Sequence, residues 1–415
     1  MRVLIPGNGG REDALARKLA ESNLVTEVIV SPGRERLQPL AKITTAPVPA
    51  DNIAGLIRLA EERTADLIVP GGEAPLVAGL ADAARRARFD VFGPTARAAR
   101  ITEGSKCEAK KFMRRSNVPT AEPFRCFHPS ESPSSFIYSL PLPIVVKDDD
   151  LAGGKGVTIA KTREAALAAT DNLSGRGHRY VIEPHLSGWE MTYTCLVAGM
   201  SFVPLATSQD NKLLDGKMTG GMVTVSPEPY MTPELEEKIT ERIVRPTIRG
   251  LNTEGYYYRG FLYFGLMIVD GEPHLLEYNC RLGDPEAQVI LPRLWENLAH
   301  ILQWGARGVL PTDPLRWDPR AAACIVLASQ GYPENPVLGA EITGVEEVEA
   351  KPDAYVFYSG TAVCDGKLVV AGGRVLGVTA LNTTPRTALE RALMLAMKIR
   401  FKGRQYLNCV RDVGQ

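Results

Sequence analysis

At 415 residues the chain exceeds what one ordinary core accommodates, so roughly two to four domains are expected. Its 48 Lys+Arg balance 48 Asp+Glu, which argues against a nucleic-acid binder with a broad basic face but leaves local basic pockets open. Seven cysteines with no Cys-x-x-Cys spacing, and only five histidines, suggest neither a structural zinc site nor a disulfide framework; reduced cytosolic thiols are expected.

Short apolar runs at 3–6, 27–30, 67–69 and 91–92 alternate with amphipathic helical patterns. That alternation predicts a parallel, Rossmann-like α/β domain ending near residue 102. Gly7-Asn8-Gly9-Gly10 falls where the first strand meets a helix, so its N–H groups are expected to bind an anion. A dinucleotide fold is the rival reading. It is weakened by Glu12 at the third glycine position and by Ser31-Pro32-Gly33 after the second strand, which offers no acid to a ribose.

Residues 144–157 combine a buried-type strand carrying Lys147 with a loop containing Gly153, Gly154, Lys155 and Gly156. Glycines let backbone N–H groups close around phosphate oxygens, and each lysine adds a point charge. The Walker A spacing fails, since no hydroxyl follows Lys155, and the loop is not placed like a kinase glycine loop. A hairpin turn with exposed lysines is the structural alternative for this loop alone.

Further on, Leu266, Ile268 and Leu276 flank Asp270-Gly271, a hairpin signal. The second strand ends Leu275-Leu276-Glu277-Tyr278-Asn279-Cys280-Arg281-Leu282-Gly283-Asp284-Pro285-Glu286. Glu277 and Asn279 share one strand face. Two hard oxygen donors at that spacing suit Mg²⁺ (or Mn²⁺), with Arg281 next along to hold a phosphoryl group. A strand end carrying solvated polar residues is the alternative. After residue 313, short strands at 354–358 and 367–370 precede a helix at 386–399; no chemistry is assigned there. No apolar stretch approaches membrane-spanning length, and the start does not fit a signal peptide.

Taken together these motifs resemble the ATP-grasp ligases and, within them, the glycinamide ribonucleotide synthetase family. The resemblance runs nearly end to end. It includes Gly7 to Glu12, Glu73-Ala74-Pro75-Leu76, Phe92-Gly93-Pro94-Thr95, Gly104-Ser105-Lys106 and the Lys147 strand with its loop. It continues through Ala206 to Asp210, Thr219-Gly220-Gly221-Met222, Gly260 to Tyr263, the 277–286 block and Gly372-Gly373-Arg374-Val375.

The resemblance implies an N-terminal substrate domain (1–102), a first ATP-grasp part with a mobile lid (103–188), a catalytic part (189–312) and a small C-terminal α+β domain (313–415). It implies that Lys106 and Lys147 touch the nucleotide phosphates, that the strand and hinge at Glu183 meet adenine, and that Glu190 accepts from the ribose. Asn8, Gly9, Gly10, Arg11 and Glu73 would serve the phosphoribosyl substrate. Ser208, Gln209, Asp210, Gly220, Gly221 and Asp284 would serve the carboxylate and amine, with Asp210 also catalytic. His185 is expected to pack or face solvent.

The implied chemistry transfers the γ-phosphoryl of ATP to a carboxylate, giving an acyl phosphate that an amine converts to an amide. Such an enzyme would be cytoplasmic, a monomer or homodimer, binding small carboxylate and amine substrates in purine synthesis and neither nucleic acid nor membrane.

The chain departs from the family pattern in several places. Asp13 stands for the histidine of Arg-Glu-His, Gly72 for the proline before Glu73, and Pro32-Gly33-Arg34-Glu35-Arg36 for Pro-Gly-Asn-x-Gly-Thr. Asn211 replaces a histidine, the 215–223 stretch is shortened, and Asp149 to Gly156 alters the glycine loop. These changes leave open a paralogue joining a different amino acid or amine. Sister carboxylases working through carboxyphosphate and non-catalytic nucleotide-binding modules are further alternatives, less well matched by the Gln209-Asp210 block and by the retained Lys147, Glu277 and Asn279.

Overall fold

A computed structural model describes residues 1–150, 156–214 and 217–407. The N-terminal strands form a parallel sheet in the order Ile43–Thr45, Glu27–Pro32, Arg2–Gly7, Leu67–Ile68, Asp90–Val91. Val3, Leu4, Ile5, Val28 and Ile29 are wholly buried, as expected where helices cover both faces of a parallel sheet. The Ile43–Thr45 edge strand was not foreseen, because it is three residues long and both its threonines are exposed, leaving no apolar alternation to read.

The turn from Gly7 into the helix Gly10–Ala20 corrects one expectation. The Glu12 carboxylate folds back to accept the Gly9 N–H at 2.5 Å and Arg11 Nε at 2.7 Å. Its side chain lies between Gly7, at φ +144°, and Gly71; a Cβ on either would come within 2.4 Å of it. The Gly9 donor is therefore satisfied internally, by an anion that would repel a second one. Glu12 stands in the third glycine position because it caps its own helix.

Two antiparallel four-stranded sheets follow. The first, Arg125–Phe127, Tyr180–Pro184, Ile144–Asp148, Val157–Ala160, has its own small core, in which Ile144, Val146, Tyr180 and Ile182 pack on Ile137, Ala166 and Leu173 from its helices. The second runs Ser201–Pro204, Trp189–Ala198, Arg259–Val269, Glu272–Asn279. Its last two strands form the expected hairpin, with Asp270 at φ +50° and Gly271 at φ +77°, the left-handed pair that a tight two-residue turn requires.

The register slips once in that hairpin, since Gly265 faces Glu277 while Leu266 faces Leu275. This bulge leaves Leu275 and Tyr278 in the core and turns Leu276, Glu277 and Asn279 toward the cleft between the sheets.

A third antiparallel sheet joins Gln209–Leu214 and Lys217–Ser226 to Ala321–Ala328, Arg374–Asn382 and Ala354–Tyr358. Strands on both sides of the expected limit near residue 313 thus share one sheet. The expected strands at 354–358 and 367–370 are Ala354–Tyr358 and Lys367–Val370, and the expected helix is Pro385–Ala396.

Ion pairs tie these units together. Asp13 bonds Arg36, accepts the Tyr358 N–H at 3.1 Å and lies 3.4 Å from Arg17 Nε. Arg17 in turn reaches Glu349 at 2.8 Å, and the Arg36 guanidinium lies over the Tyr358 ring at 3.9 Å. Two of the altered positions, Asp13 and Arg36, therefore meet each other at the seam with the C-terminal sheet.

Nearer the cleft, Arg281 bridges Glu73 at 3.2 Å and Glu103 at 2.8 Å. Burial pushes Glu103 up despite the arginine, with Glu73 adding to the push. For Glu73 burial is outweighed by Arg281 and Arg11, which hold its pKa at about 2.

A carboxylate depressed on folding stabilises above its unfolded pKa and loses that contribution as pH falls through the folded one. For Glu73 the window runs from 4.5 down to about 2, worth about 3 kcal/mol for a side chain mostly shielded from solvent. The stability difference between wild type and Glu73→Gln in urea unfolding should therefore shrink by more than half between about pH 7 and pH 3. A difference constant over that range would contradict the assignment.

Candidate active site

The two antiparallel sheets, the third sheet and the N-terminal domain enclose a cavity of about 320 Å³, near the lower end of the range for small-molecule sites. Arg11, Glu73, Lys106, Lys147, Gly156, Glu183, Glu190, Asp210, Gly220, Glu277, Asn279, Arg281 and Asp284 all line it. Asn8, Gly9, Gly10, Ser208, Gln209 and Gly221 do not belong to that lining. Ser208 is wholly buried in a bridge to Thr192, and Gly10 is packed against Gln288 and Ser359. Gly153, Gly154 and Lys155 lie outside the described residues.

One end of the cavity is cationic. The helix Lys106–Arg115 starts at its Ser105 cap and brings Lys106 and Lys110 to one face, four residues apart. Lys147, on the strand Ile144–Asp148, reaches Glu183 at 2.6 Å and the Leu276 carbonyl at 3.3 Å. Lys110 takes the other Glu183 oxygen at 2.5 Å. Burial pushes Lys110 down to about 8 although Glu183 opposes it. For Glu183 the two lysines outweigh burial and keep it ionised. Glu183, expected at adenine, thus sets the position of two lysines. His185, expected to pack or face solvent, lines the cavity beside it.

Glu277 lines the same cavity. Burial would raise its pKa, but Lys212, Lys147, Lys106 and Arg281 outweigh this and hold it down. No hydrogen bond or ion pair engages its carboxylate among the described residues, so its oxygens remain available to a ligand. Asn279 Oδ1 accepts from Arg281 at 3.1 Å and keeps a second lone pair. Glu286 Oε1, which accepts from Tyr263 at 3.1 Å and Thr192 at 3.3 Å, faces the same space. An ionised, unengaged carboxylate, an amide oxygen and a second carboxylate form the hard-oxygen donor set that Mg²⁺ or Mn²⁺ favours.

The third sheet supplies the remaining wall. Asp210 accepts from Thr224 at 2.9 Å through Oδ1, while Oδ2 is buried without a hydrogen-bond partner. Burial and then Glu286 push its pKa well up. Gly221, at φ +116°, passes so near that a Cβ would lie 2.4 Å from Pro285 and 2.8 Å from Asp210 Oδ2. Arg374 holds the Gly220 and Asp284 carbonyls at 2.7 and 2.6 Å and the Asp284 carboxylate at 3.3 Å. Glu190 is about half exposed at the cavity mouth, 3.7 Å from Lys212.

Lys110, Glu103, Lys212, Tyr263, Glu286 and Arg374 were not singled out from the sequence. Lys110 was readable as the i+4 partner of Lys106. Lys212, Tyr263, Glu286 and Arg374 lay in or beside recognised blocks. Glu103 reaches the site through a single turn of π-helix, Arg100–Gly104, which carried no signal in the pattern.

Models of the phosphoribosylglycinamide synthetase N domain, ATP-grasp (A) domain and C domain match residues 1–102, 104–287 and 322–415. The phosphoribosylamine–glycine ligases of Haemophilus influenzae and Escherichia coli O157:H7 are each 42% identical to the chain, over 100% of it and 98% of their own length. The crystal structure of the Thermotoga maritima phosphoribosylamine–glycine ligase has a TM-score of 0.82 at 34% identity, over 98% of this chain and 99% of that one. Biotin carboxylase from Campylobacter jejuni, at a TM-score of 0.72 and 14% identity over 98% of this chain and 92% of its own, shares the fold alone. The cavity between two antiparallel sheets and these full-length matches agree: the chain belongs to the phosphoribosylglycinamide synthetase family of ATP-grasp ligases.

Proposed function

We propose that the chain is an ADP-forming ligase that joins glycine to phosphoribosylamine. The observation that carries this reading is the joint presence of the lysine end, the Glu277–Asn279–Glu286 oxygen set and the Arg11–Glu73–Asp284 wall in one cavity, in a chain similar to such ligases over its whole length. A paralogue with another amino acid or amine is not favoured, because Asp13 and Arg36 pair at a domain seam instead of lining the cavity.

Lys106 and Lys147 would bind the ATP phosphates, and the Glu183 carboxylate keeps Lys147 aimed by holding one of its three donors. Glu277, Asn279 and Glu286 would hold a divalent ion, most simply Mg²⁺, which when bound screens phosphate charge during transfer. Arg281, fixed by Glu73 and Glu103, would face charge on the transferring phosphoryl group. Asp210 Oδ2 and Glu286 offer acceptors to the ammonium of an amino acid; an ammonium there relieves the repulsion that raises Asp210. Arg11 and Arg374 complete a wall suited to an anionic amine. The enzyme is read as cytoplasmic, a monomer or homodimer, acting on small molecules and not on nucleic acid; no described helix is long and apolar enough to cross a membrane.

The test is ADP release from MgATP with glycine and phosphoribosylamine generated in place, with the product identified by mass. Glycinamide ribonucleotide formed with equimolar ADP is expected. ADP formed only with another amino acid or amine would overturn the assignment.

Glu277→Ala should lower ADP formation by on the order of a thousandfold with thermal unfolding little changed, since it removes charge from the centre of the site. Turnover near wild type would place the metal elsewhere. Glu103→Gln should loosen Arg281 and lower kcat by about a hundredfold while the KM for ATP changes little. A change confined to KM would mean that Arg281 serves ground-state binding instead.

A further inference from the structure

Lys212 is a cation of the cavity with no part in the phosphoryl transfer outlined for the site. It stands on the strand Gln209–Leu214, two residues after Asp210, and both side chains line the cavity, as alternate residues on one strand face do. The ladder opens beside it. Asn211 faces Val223 but Leu213 faces Met218, so Thr219 to Met222 lie opposite Lys212 alone. The Lys212 carbonyl instead accepts the Thr219 hydroxyl at 2.8 Å, and that hydroxyl oxygen accepts the Gly221 N–H at 3.1 Å. This irregularity fixes the Lys212 backbone, while Met218, Thr219 and Gly220 of the partner strand join the cavity wall beside it.

Among the described residues no hydrogen bond engages the Lys212 ammonium. Its ion pair with Glu190 at the cavity mouth is long, at 3.7 Å, and the side chain is only 28% exposed. Tyr263, and then Glu190, Glu277 and Asp210, outweigh burial and keep it charged. It is in turn foremost among the cations that keep Glu277 ionised against burial. Lys212 thus has three donors to offer, and Asp210, its neighbour on the same strand face, has the unpartnered Oδ2. Alternate strand residues stand about 6.7 Å apart. A small ligand reaching both must present an anion to one and a cation to the other, as an α-amino acid does.

Resting on the proposed function, in which an amino acid is one substrate, we infer that Lys212 receives the carboxylate of that amino acid while Asp210 holds its ammonium, so that one strand grips both ends of the zwitterion. One carboxylate oxygen attacks the γ-phosphorus of ATP. The bond from that phosphorus to the bridging oxygen breaks, and ADP leaves with the electron pair; no proton moves. Lys212 stays on the second carboxylate oxygen, offsetting the repulsion between carboxylate and triphosphate that otherwise opposes the approach.

The test compares full-length wild type with Lys212→Gln and Lys212→Arg in ADP release with MgATP and phosphoribosylamine generated in place. Glycinamide, which keeps the ammonium of glycine and lacks its carboxylate, serves as the competing probe. Lys212→Gln should raise the KM for glycine roughly tenfold or more and lower kcat about a hundredfold. The Ki of glycinamide and the calorimetric Kd of MgATP should stay within about threefold of wild type, and Lys212→Arg should recover part of the glycine affinity. The proposal is overturned if KM and kcat for glycine stay at wild-type values, or if Lys212→Gln weakens glycinamide and MgATP as much as glycine, which is what a cation that only supports the fold would do. Wild-type ADP release with another amino acid in place of glycine would overturn the choice of glycine, and the same variants then report on Lys212 with that amino acid. ADP release that depends on no amino acid would overturn both.

Discussion

Arg281 is the constraint on which the site depends. It is almost enclosed, and its charge is shared by Glu73 from the N-terminal domain and Glu103 from the π-turn, while Asn279 from its own strand end accepts a further donor. Removing the cation would leave two carboxylates facing each other, a cost of about 3–5 kcal/mol for a buried pair that has lost its partner. The same three-way contact docks the N-terminal domain on the sheet that carries Glu277. Domain assembly and placement of the candidate metal ligand are therefore one event.

A second constraint acts at the cationic end. Lys106, Lys110 and Lys147 crowd one end of the cavity, and Glu183 between the latter two is what makes that crowding tolerable. Without an anion in the cavity the lysine end carries excess positive charge, while Glu277 is held ionised with no ion pair or hydrogen bond to its carboxylate among the described residues. A polyanion accompanied by a divalent cation satisfies both sides. The electrostatics thus favour ATP with its metal over either alone.

Much of this was legible in the sequence because it rests on short-range periodicity. The period of two put Glu277 and Asn279 on one face, and the left-handed Asp270-Gly271 pair announced the hairpin that delivers them. Lys147 was readable as the polar end of a buried strand. Long-range contacts were not legible. The Gly9 N–H looked open to an anion and is taken by Glu12; Glu183, expected at adenine, also holds two lysines; the bulge at Leu276 that turns the strand toward the cleft has no local signature. Departures from the family pattern at Asp13 and Arg36 are distant in sequence and adjacent in space, so only the fold shows that they compensate each other.

The central claim is that phosphoryl transfer to the amino acid carboxylate precedes amide formation. The most direct measurement supplies glycine labelled with heavy oxygen in its carboxylate and analyses the phosphate released during turnover with MgATP and phosphoribosylamine. One labelled oxygen per phosphate is predicted, because the carboxylate oxygen that accepts the phosphoryl group leaves with it. Unlabelled phosphate, with the lost heavy oxygen recovered in water or in the nucleotide, would contradict the account.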